Sequence, residues 1–358
     1  MLTEPRTPLE TARPAPTQKS VVVVMPMVGD PDWSIFEELS EEVPIVVADD
    51  SGGKLSPAPR RNVRFFDYEE QKRVMGRHYD AIPHRSSASR NFGHYLAYRE
   101  GYEVIVALDY DCRTRPGWLE EHLAALGPKE QAPALAGRWI NSIQAEGFYA
   151  RGFPYEYRDR DQRPVKTQAS GEVKLNLGVW DNVLDLNGID KLQSEPPREP
   201  GLLPGGNHVA LGNLPLCGMN TAFLAELTPA YFFLPDVWVD GWQLSRHDDI
   251  WGGYILKKLM DRRGDLVSFG GPVVEHTRQS NLQRVIAVEH YMHLLARPFY
   301  EVVDEVAEGI PPGPYPDMFA QFCDGYLSSV EASRGPAHYR RALAELGRRM
   351  RLWAGCFR

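Results

Sequence analysis

A chain of 358 residues, 43% hydrophobic and 25% charged, can bury a large core and has the balance of a soluble globular enzyme. Its formal net charge of -8 excludes a general nucleic-acid binder, so a polyanionic ligand here needs local compensation from a metal or a few arginines. The cysteines Cys112, Cys217, Cys323 and Cys356 lie far apart without CxxC spacing, which excludes a disulfide framework or a zinc cluster.

The N-terminus offers neither the basic start nor the apolar run of a signal peptide. No apolar stretch approaches the roughly 18 residues of a membrane span. A cytoplasmic location is therefore expected.

Residues 1–20 carry Pro5, Pro8, Pro14 and Pro16 among polar side chains and read as a flexible tail. Order is expected from Val21, where the β-branched run VVVVMP predicts a buried parallel strand stopped by Pro26. A helix from Trp33 to about Glu42 and a strand from Pro44 to Ala48 follow, ending at Asp49 and Asp50. Strand, helix and strand with acids at the carboxyl end form the first unit of an open α/β sheet, and such sheets bind ligands at that end.

A third strand is expected at Asn62 to Phe66. A helix from Ser86 to Glu100 is capped by Ser86 or Ser87, with Ala88, Phe92, Tyr95 and Leu96 facing inward. The run Glu103 to Leu108 is a buried strand that delivers Asp109, Tyr110 and Asp111. Pro116 opens another helix. From Ala132 to Leu216 no periodicity is evident, and an irregular functional region is expected. The run Leu266 to Val274 leads to His276. Helical spacing returns at Ile250 to Arg263 and dominates from about Leu282 to the end. This divides the chain into a catalytic domain over 21–283 and a helical region over 284–358.

Six constellations carry chemistry. The pair Asp109 and Asp111 at a strand end can chelate Mn²⁺ or Mg²⁺ bridging the phosphates of a nucleotide sugar, offsetting the leaving group's charge. The same spacing recurs at Asp30 and Asp32 and at Asp159 and Asp161, but only the middle pair follows an uninterrupted apolar strand. Arg90 suits a phosphate and Asn91 a base or ribose, although a surface arginine on an amphipathic helix has the same signature.

Asp248 or Asp249 is placed to face the sugar as base or hydroxyl binder, against the plainer role of acids at a helix start. His276 can complete a metal's coordination. Arg151 and Arg158 in a Gly-Pro-aromatic loop can clamp a diphosphate. Gly218 permits close backbone approach and Asn220 can bond sugar hydroxyls, whereas Cys217 lacks a histidine partner.

In this order, VVVVMP, SASRNFG, VIVALDYDC, RGFPYEYR, LNLGVWDN, PLCGMNTAF and RHDDIWGGYILKK resemble blocks of the reversibly glycosylated polypeptide family, from about Val21 to about Gln283. The resemblance implies a GT-A fold, Rossmann-like, with a mixed and mostly parallel sheet flanked by helices. It implies UDP-sugar binding with Mn²⁺ or Mg²⁺ and reversible self-glycosylation, with pyranose/furanose interconversion in some members.

By the same resemblance, Arg151 is the glycosylated residue and Arg158 the second arginine required. Asp49 and Asp50 fall beside the uracil, and Trp180 beside the sugar. Two departures stand out. The family's three consecutive aspartates are here Asp109-Tyr110-Asp111. The segment VLDLNGIDKLQ only resembles the plant PDYDAPTQ, so the sugar can differ. A transferase with a separate acceptor and a non-catalytic sugar-nucleotide binder are the competing readings, and homo-oligomers are possible.

Overall fold

The computed structural model describes residues 20–29, 34, 39, 41–55, 60–158 and 163–358. The tail to Lys19, most of the expected helix over 33–42, and the pairs Asp30/Asp32 and Asp159/Asp161 lie outside them.

Four short strands, β1 Val21–Met27, β2 Ile45–Asp49, β3 Val63–Phe66 and β4 Val104–Leu108, form a parallel half-sheet in the order β3-β2-β1-β4. Every residue of β2 and β4 is buried, as a strand covered on both faces requires. Pro26 does not stop β1, because the strand runs on to Met27 in register with Asp49.

Helix α1, Tyr68–Met75, is announced by a capping box in which Asp67 accepts from the Glu70 amide and Glu70 from the Asp67 amide. Its buried Gln71 donates to the carbonyls of Asp49 and Phe66, tying it to the strand ends. The predicted helix over 86–100 is a 3₁₀ turn capped by Ser86 followed by α2, Arg90–Glu100. The helix expected at Pro116 begins instead at Trp118, as α3 Trp118–Ala125, after Gly117 in the left-handed region.

The stretch over 132–216 is irregular only in part, over 140–154 and 194–207 chiefly. Strand β5, Cys112–Arg113, is followed by β6 Gly127–Trp139, β7 Val165–Asn182 and β8 His208–Asn213. Short helix α4, Gly188–Gln193, lies between β7 and β8. The near end of β7 and much of β6 face water and carry polar residues, which hides the two-residue period that marks a half-buried strand.

With β9 Asn220–Leu224 and, after the hairpin β10 Val237–Val239 and β11 Trp242–Leu244, β12 Leu266–His276, they complete a ten-stranded mixed sheet. Its order is β3-β2-β1-β4-β9-β7-β6-β8-β12-β5, with a further parallel pairing of β7 and β12.

Helix α5, Asp248–Arg263, packs against β12; α6, Leu282–Glu308, packs on α5 and β11; α7, Tyr315–Ala332, on α5 and α6; and α8, Ala337–Ala354, on α7 and β10. One hydrophobic cluster runs from Val22 to Cys356. Trp353 of α8, wholly buried, stacks on Phe232 with centroids 5.2 Å apart, so the last helix is built into the layer that carries the site. No helix among the described residues is long and apolar enough to cross a membrane. Trp353→Ala should lower the unfolding free energy by about 3–5 kcal/mol, read as a fall in the urea midpoint.

Candidate active site

A cavity of about 370 Å³ opens at the carboxyl ends of β1 and β4. Asp109 and Asp111 enter it from the turn after β4. Strand β5 then returns antiparallel to β12, setting Cys112 opposite His276. The Thr277 amide donates to the Asp111 carbonyl at 2.9 Å and fixes the turn. His276 Nδ1 lies 2.7 Å from the Val183 carbonyl and must donate to it, which leaves the Nε2 lone pair facing Asp111 Oδ2 at 3.9 Å.

Burial, reinforced by Asp109, pushes the Asp111 carboxyl up to about 6. Its nearest basic side chains, His276 and Arg278, stand no closer than 3.9 Å. Among the described residues no three His, Cys, Asp or Glu side chains are gathered tightly enough to hold an ion as they stand. Two carboxylates and an imidazole lone pair turned toward an under-compensated Asp111 nevertheless have the donor chemistry that Mn²⁺ or Mg²⁺ takes.

Arg90 is buried at the start of α2. It donates to Asp109 through Nη2, to the Ser87 carbonyl through Nε at 3.0 Å and to the Gly218 carbonyl through Nη1. Its guanidinium lies 5.0 Å from the Phe233 ring centroid. Gly218 is required there, since a Cβ would fall 2.3 Å from Phe233 Cε1.

Deeper in the cavity sits Arg151, 6% exposed. Its Nε donates to Asp185 Oδ2 at 2.7 Å, its Nη1 to the Arg246 carbonyl at 2.6 Å, and its Nη2 to Asp249 Oδ2 at 2.7 Å. Burial opposes the charge on all three groups, but the contacts outweigh it. The guanidinium is held well above its usual range, and both carboxyls are held below theirs.

The chain of charges continues outward. Arg246 donates to Asp185 Oδ1 at 3.2 Å and to Glu289 Oε1 at 3.1 Å, while Glu289 Oε2 accepts from the Gly188 amide at 2.6 Å. Gly152 has φ of 83°, and a Cβ on it would strike Ile250 Cγ2 at 2.3 Å, so only glycine lets the Arg151 loop meet α5.

The neighbours Asp248 and Asp249 at the α5 N-terminus have different surroundings. Asp249 accepts from Arg151 and from the Gly218 amide at 3.1 Å. Asp248 accepts from Ser87, and burial together with Asp249 pushes it up to about 7. Cys217 lines the same wall with its thiol raised well above the usual range by burial, which rules against a thiolate nucleophile.

Seven expected site residues do not line the cavity, Gly218 among them although its neighbours Cys217 and Met219 do. Asn91 is wholly buried and clamps the Phe233 backbone, donating to its carbonyl at 2.8 Å and accepting from its amide at 3.0 Å. Asn220 is likewise buried, its amide nitrogen donating to the Val179 and Pro272 carbonyls while its oxygen accepts from Trp118 Nε1. Trp180 is 1% exposed and belongs to the core.

Arg158 pairs with Asp190 at 2.7 Å and lies 4.0 Å from the Tyr155 ring centroid, so it ties its loop to α4. Asp49 accepts from the Ser51 amide at 2.8 Å, and Asp50 accepts from the Tyr68 hydroxyl at 2.7 Å and the Ser86 amide at 2.8 Å. Both acids therefore order the loops beside the cavity, and their bonded oxygens face protein. Except at Trp180, whose indole nitrogen is buried without a partner, the protein backbone or a neighbouring side chain takes up the polar group first.

Sequence reading missed Ser87, Asp185, Lys191 and Glu289, and assigned no role to Arg246, Arg278 or Arg284. The partners of Ser87, Asp185, Glu289, Arg246 and Arg278 are remote in sequence, so spacing carries no signal for them. The departure at VLDLNGIDKLQ was the only pointer toward Asp185 and Lys191. A larger hollow of about 800 Å³, between the 3₁₀ turn over 76–81 and α8, is a different case. Its Arg348 and Arg349 already pair with Glu345, and its Arg351 with Asp324.

The family described as reversibly glycosylated polypeptide matches residues 37–304. The probable UDP-arabinopyranose mutase 1 of Pisum sativum is 28% identical over 288 residues, covering 75% of this chain and 73% of that protein. UDP-arabinopyranose mutase 1 of Arabidopsis thaliana is 28% identical over 251 residues, covering 66% of this chain and 65% of its own length. For UDP-arabinopyranose mutase 3 of the same plant the identity is 25% over 288 residues, or 76% and 74%.

Removing Asp185 leaves the buried Arg151 short of a counter-charge. Asp185→Ala should cost about 3–5 kcal/mol in urea denaturation at neutral pH. Because the folded Asp185 carboxyl is held low, the stability it contributes is present above its unfolded value of about 3.9 and fades as pH falls below it. The gap between wild type and Asp185→Asn should narrow over that acid range.

Proposed function

The chain belongs to the reversibly glycosylated polypeptide family, and from that membership and the site's geometry we propose that it is a UDP-sugar mutase interconverting pyranose and furanose rings. One observation carries the reading. Arg151, fixed between Asp185 and Asp249, shares a single cavity with Asp109, Asp111, His276 and Arg90. Asp109, Asp111 and His276 would hold Mn²⁺ or Mg²⁺, which supplies charge neutralisation for the departing diphosphate. Arg90 lies against Asp109 with its donors directed, ready to share that task.

The sugar then lies toward Arg151. Its C1–oxygen bond to the diphosphate breaks as C1 bonds to a guanidinium nitrogen, whose proton passes to Asp249 or Asp185, both at 2.7 Å. Without such acceptors a guanidinium is no nucleophile, since it stays protonated up to about pH 12.

Asp248 handles the other proton. Its protonated form delivers a proton to the ring oxygen as the ring opens. Its ionised form takes the proton of the hydroxyl that closes the new ring on C1. A carboxyl poised near 7 populates both forms at neutral pH. Return of UDP to C1 breaks the C1–nitrogen bond and restores Arg151.

Pure protein incubated with Mn²⁺ and a UDP-sugar, without acceptor, should yield the ring isomer by NMR and a one-sugar mass increase on Arg151 by mass spectrometry. Slow hydrolysis alone would point to a transferase, and UDP binding without any turnover to a non-catalytic role. Arg151→Lys should lose about 100-fold or more in kcat, because one ammonium cannot replace a planar fork. Near wild-type turnover in that variant would overturn the role given to Arg151.

Isomerisation should peak near pH 7 and fall on both sides. Asp248→Asn should remove at least about 100-fold of kcat while leaving UDP binding intact. A profile that stays flat from pH 5 to 9 in the wild type would contradict the proton shuttle.

A further inference from the structure

The cavity has two electrostatic ends. Asp109, Asp111, His276 and Arg278 form one, while Arg151, Asp185 and Asp249 form the other. Lys191, in α4, lines the cavity and belongs to the second end. Its electrostatic neighbours are Asp185, Arg246, Glu289 and Arg151, and none of them is at the first end.

Among the described residues the Lys191 ammonium has no hydrogen-bond or ion-pair partner. The two carboxylates near it are already taken. Asp185 is held by Arg151 and Arg246, and Glu289 by Arg246 and the Gly188 amide. Burial pushes the ammonium down, and Arg246 and Arg151 add repulsion to the attraction of Asp185 and Glu289. A half-buried cation left in this state is a liability unless a ligand anion meets it.

If the diphosphate lies at the first end, as the reading above requires, the group that reaches Lys191 belongs to the sugar. A neutral pentose or hexose presents only hydroxyls there. We propose that Lys191 pairs with a carboxylate on the transferred sugar, so that the substrate is a UDP-linked uronic acid. This inference rests on the nucleotide-sugar reading, and the test separates the two.

Calorimetric titrations in Mn²⁺ would compare UDP, UDP-glucuronate, UDP-galacturonate, UDP-glucose and UDP-galactose. At least one uronate should bind roughly tenfold or more tightly than its neutral counterpart, as expected for one charge-assisted contact. Lys191→Gln should erase that preference without changing the affinity for UDP, and Lys191→Arg should keep it.

Equal binding of acidic and neutral sugars by the wild type, or a preference that survives Lys191→Gln, overturns the proposal and leaves the nucleotide-sugar reading standing. If Lys191→Gln weakens UDP itself, the lysine serves the diphosphate and the uronate assignment falls. If UDP does not bind in the presence of Mn²⁺, the nucleotide-sugar reading falls and takes the inference with it.

Discussion

A guanidinium withdrawn from water is the constraint around which this protein is arranged. Leaving the Arg151 charge unpaired in the interior would cost several kcal/mol, comparable to the net stability of a domain. The protein therefore surrounds it from separate elements. Asp185 comes from the loop after β7, Asp249 from the first turn of α5, and a carbonyl from Arg246. Arg246 is itself braced by Glu289 of α6. None of these segments can move away alone without stranding a charge, so the site is held by its own electrostatics as much as by the sheet beneath it.

The same surroundings sort the acids into working types. Asp185 and Asp249 touch Arg151 and rest ionised across the neutral range, so they hold the guanidinium and can receive its proton. Asp248 is buried and Asp111 partly buried, each beside another aspartate without a close cation, and both are shifted toward neutrality. Identical side chains within one cavity thus acquire separate capacities, one set tied to Arg151 and one open to a cation or to protons of the sugar. Asp248 and Asp249 are adjacent in the chain, yet the fold turns them to different partners.

Much of the first half-sheet was legible because β1, β2 and β4 are short, β-branched and buried on both faces. Helix α5 was legible for its length and its acidic start. Strands β6 and β7 were not, since each has a water-facing end whose polar residues carry no clear alternation. Helix α1 had a readable cap in Asp67 and Glu70 that passed unnoticed.

For the site, Arg90, Asp109, Asp111, Arg151, Asp248, Asp249 and His276 do meet in one cavity, and each was marked by its place at the end of an element or in a distinctive loop. Asn91 and Asn220 lie outside it because residue type does not reveal whether the protein itself will consume a polar group, and Trp180 because a large ring fills the core as readily as it lines a site. Asp185 and Glu289 escaped because their partnerships span 34 and 43 positions along the chain.

The stacking of Trp353 on Phe232 bears on how the molecule is made. The neighbouring Phe233 underlies Arg90, and its backbone is gripped by Asn91. During synthesis the strands that bear the aspartates leave the ribosome long before Trp353 does. The wall beneath Arg90 therefore cannot be completed until α8 has emerged, and a chain lacking that helix would carry every catalytic side chain on an unfinished support.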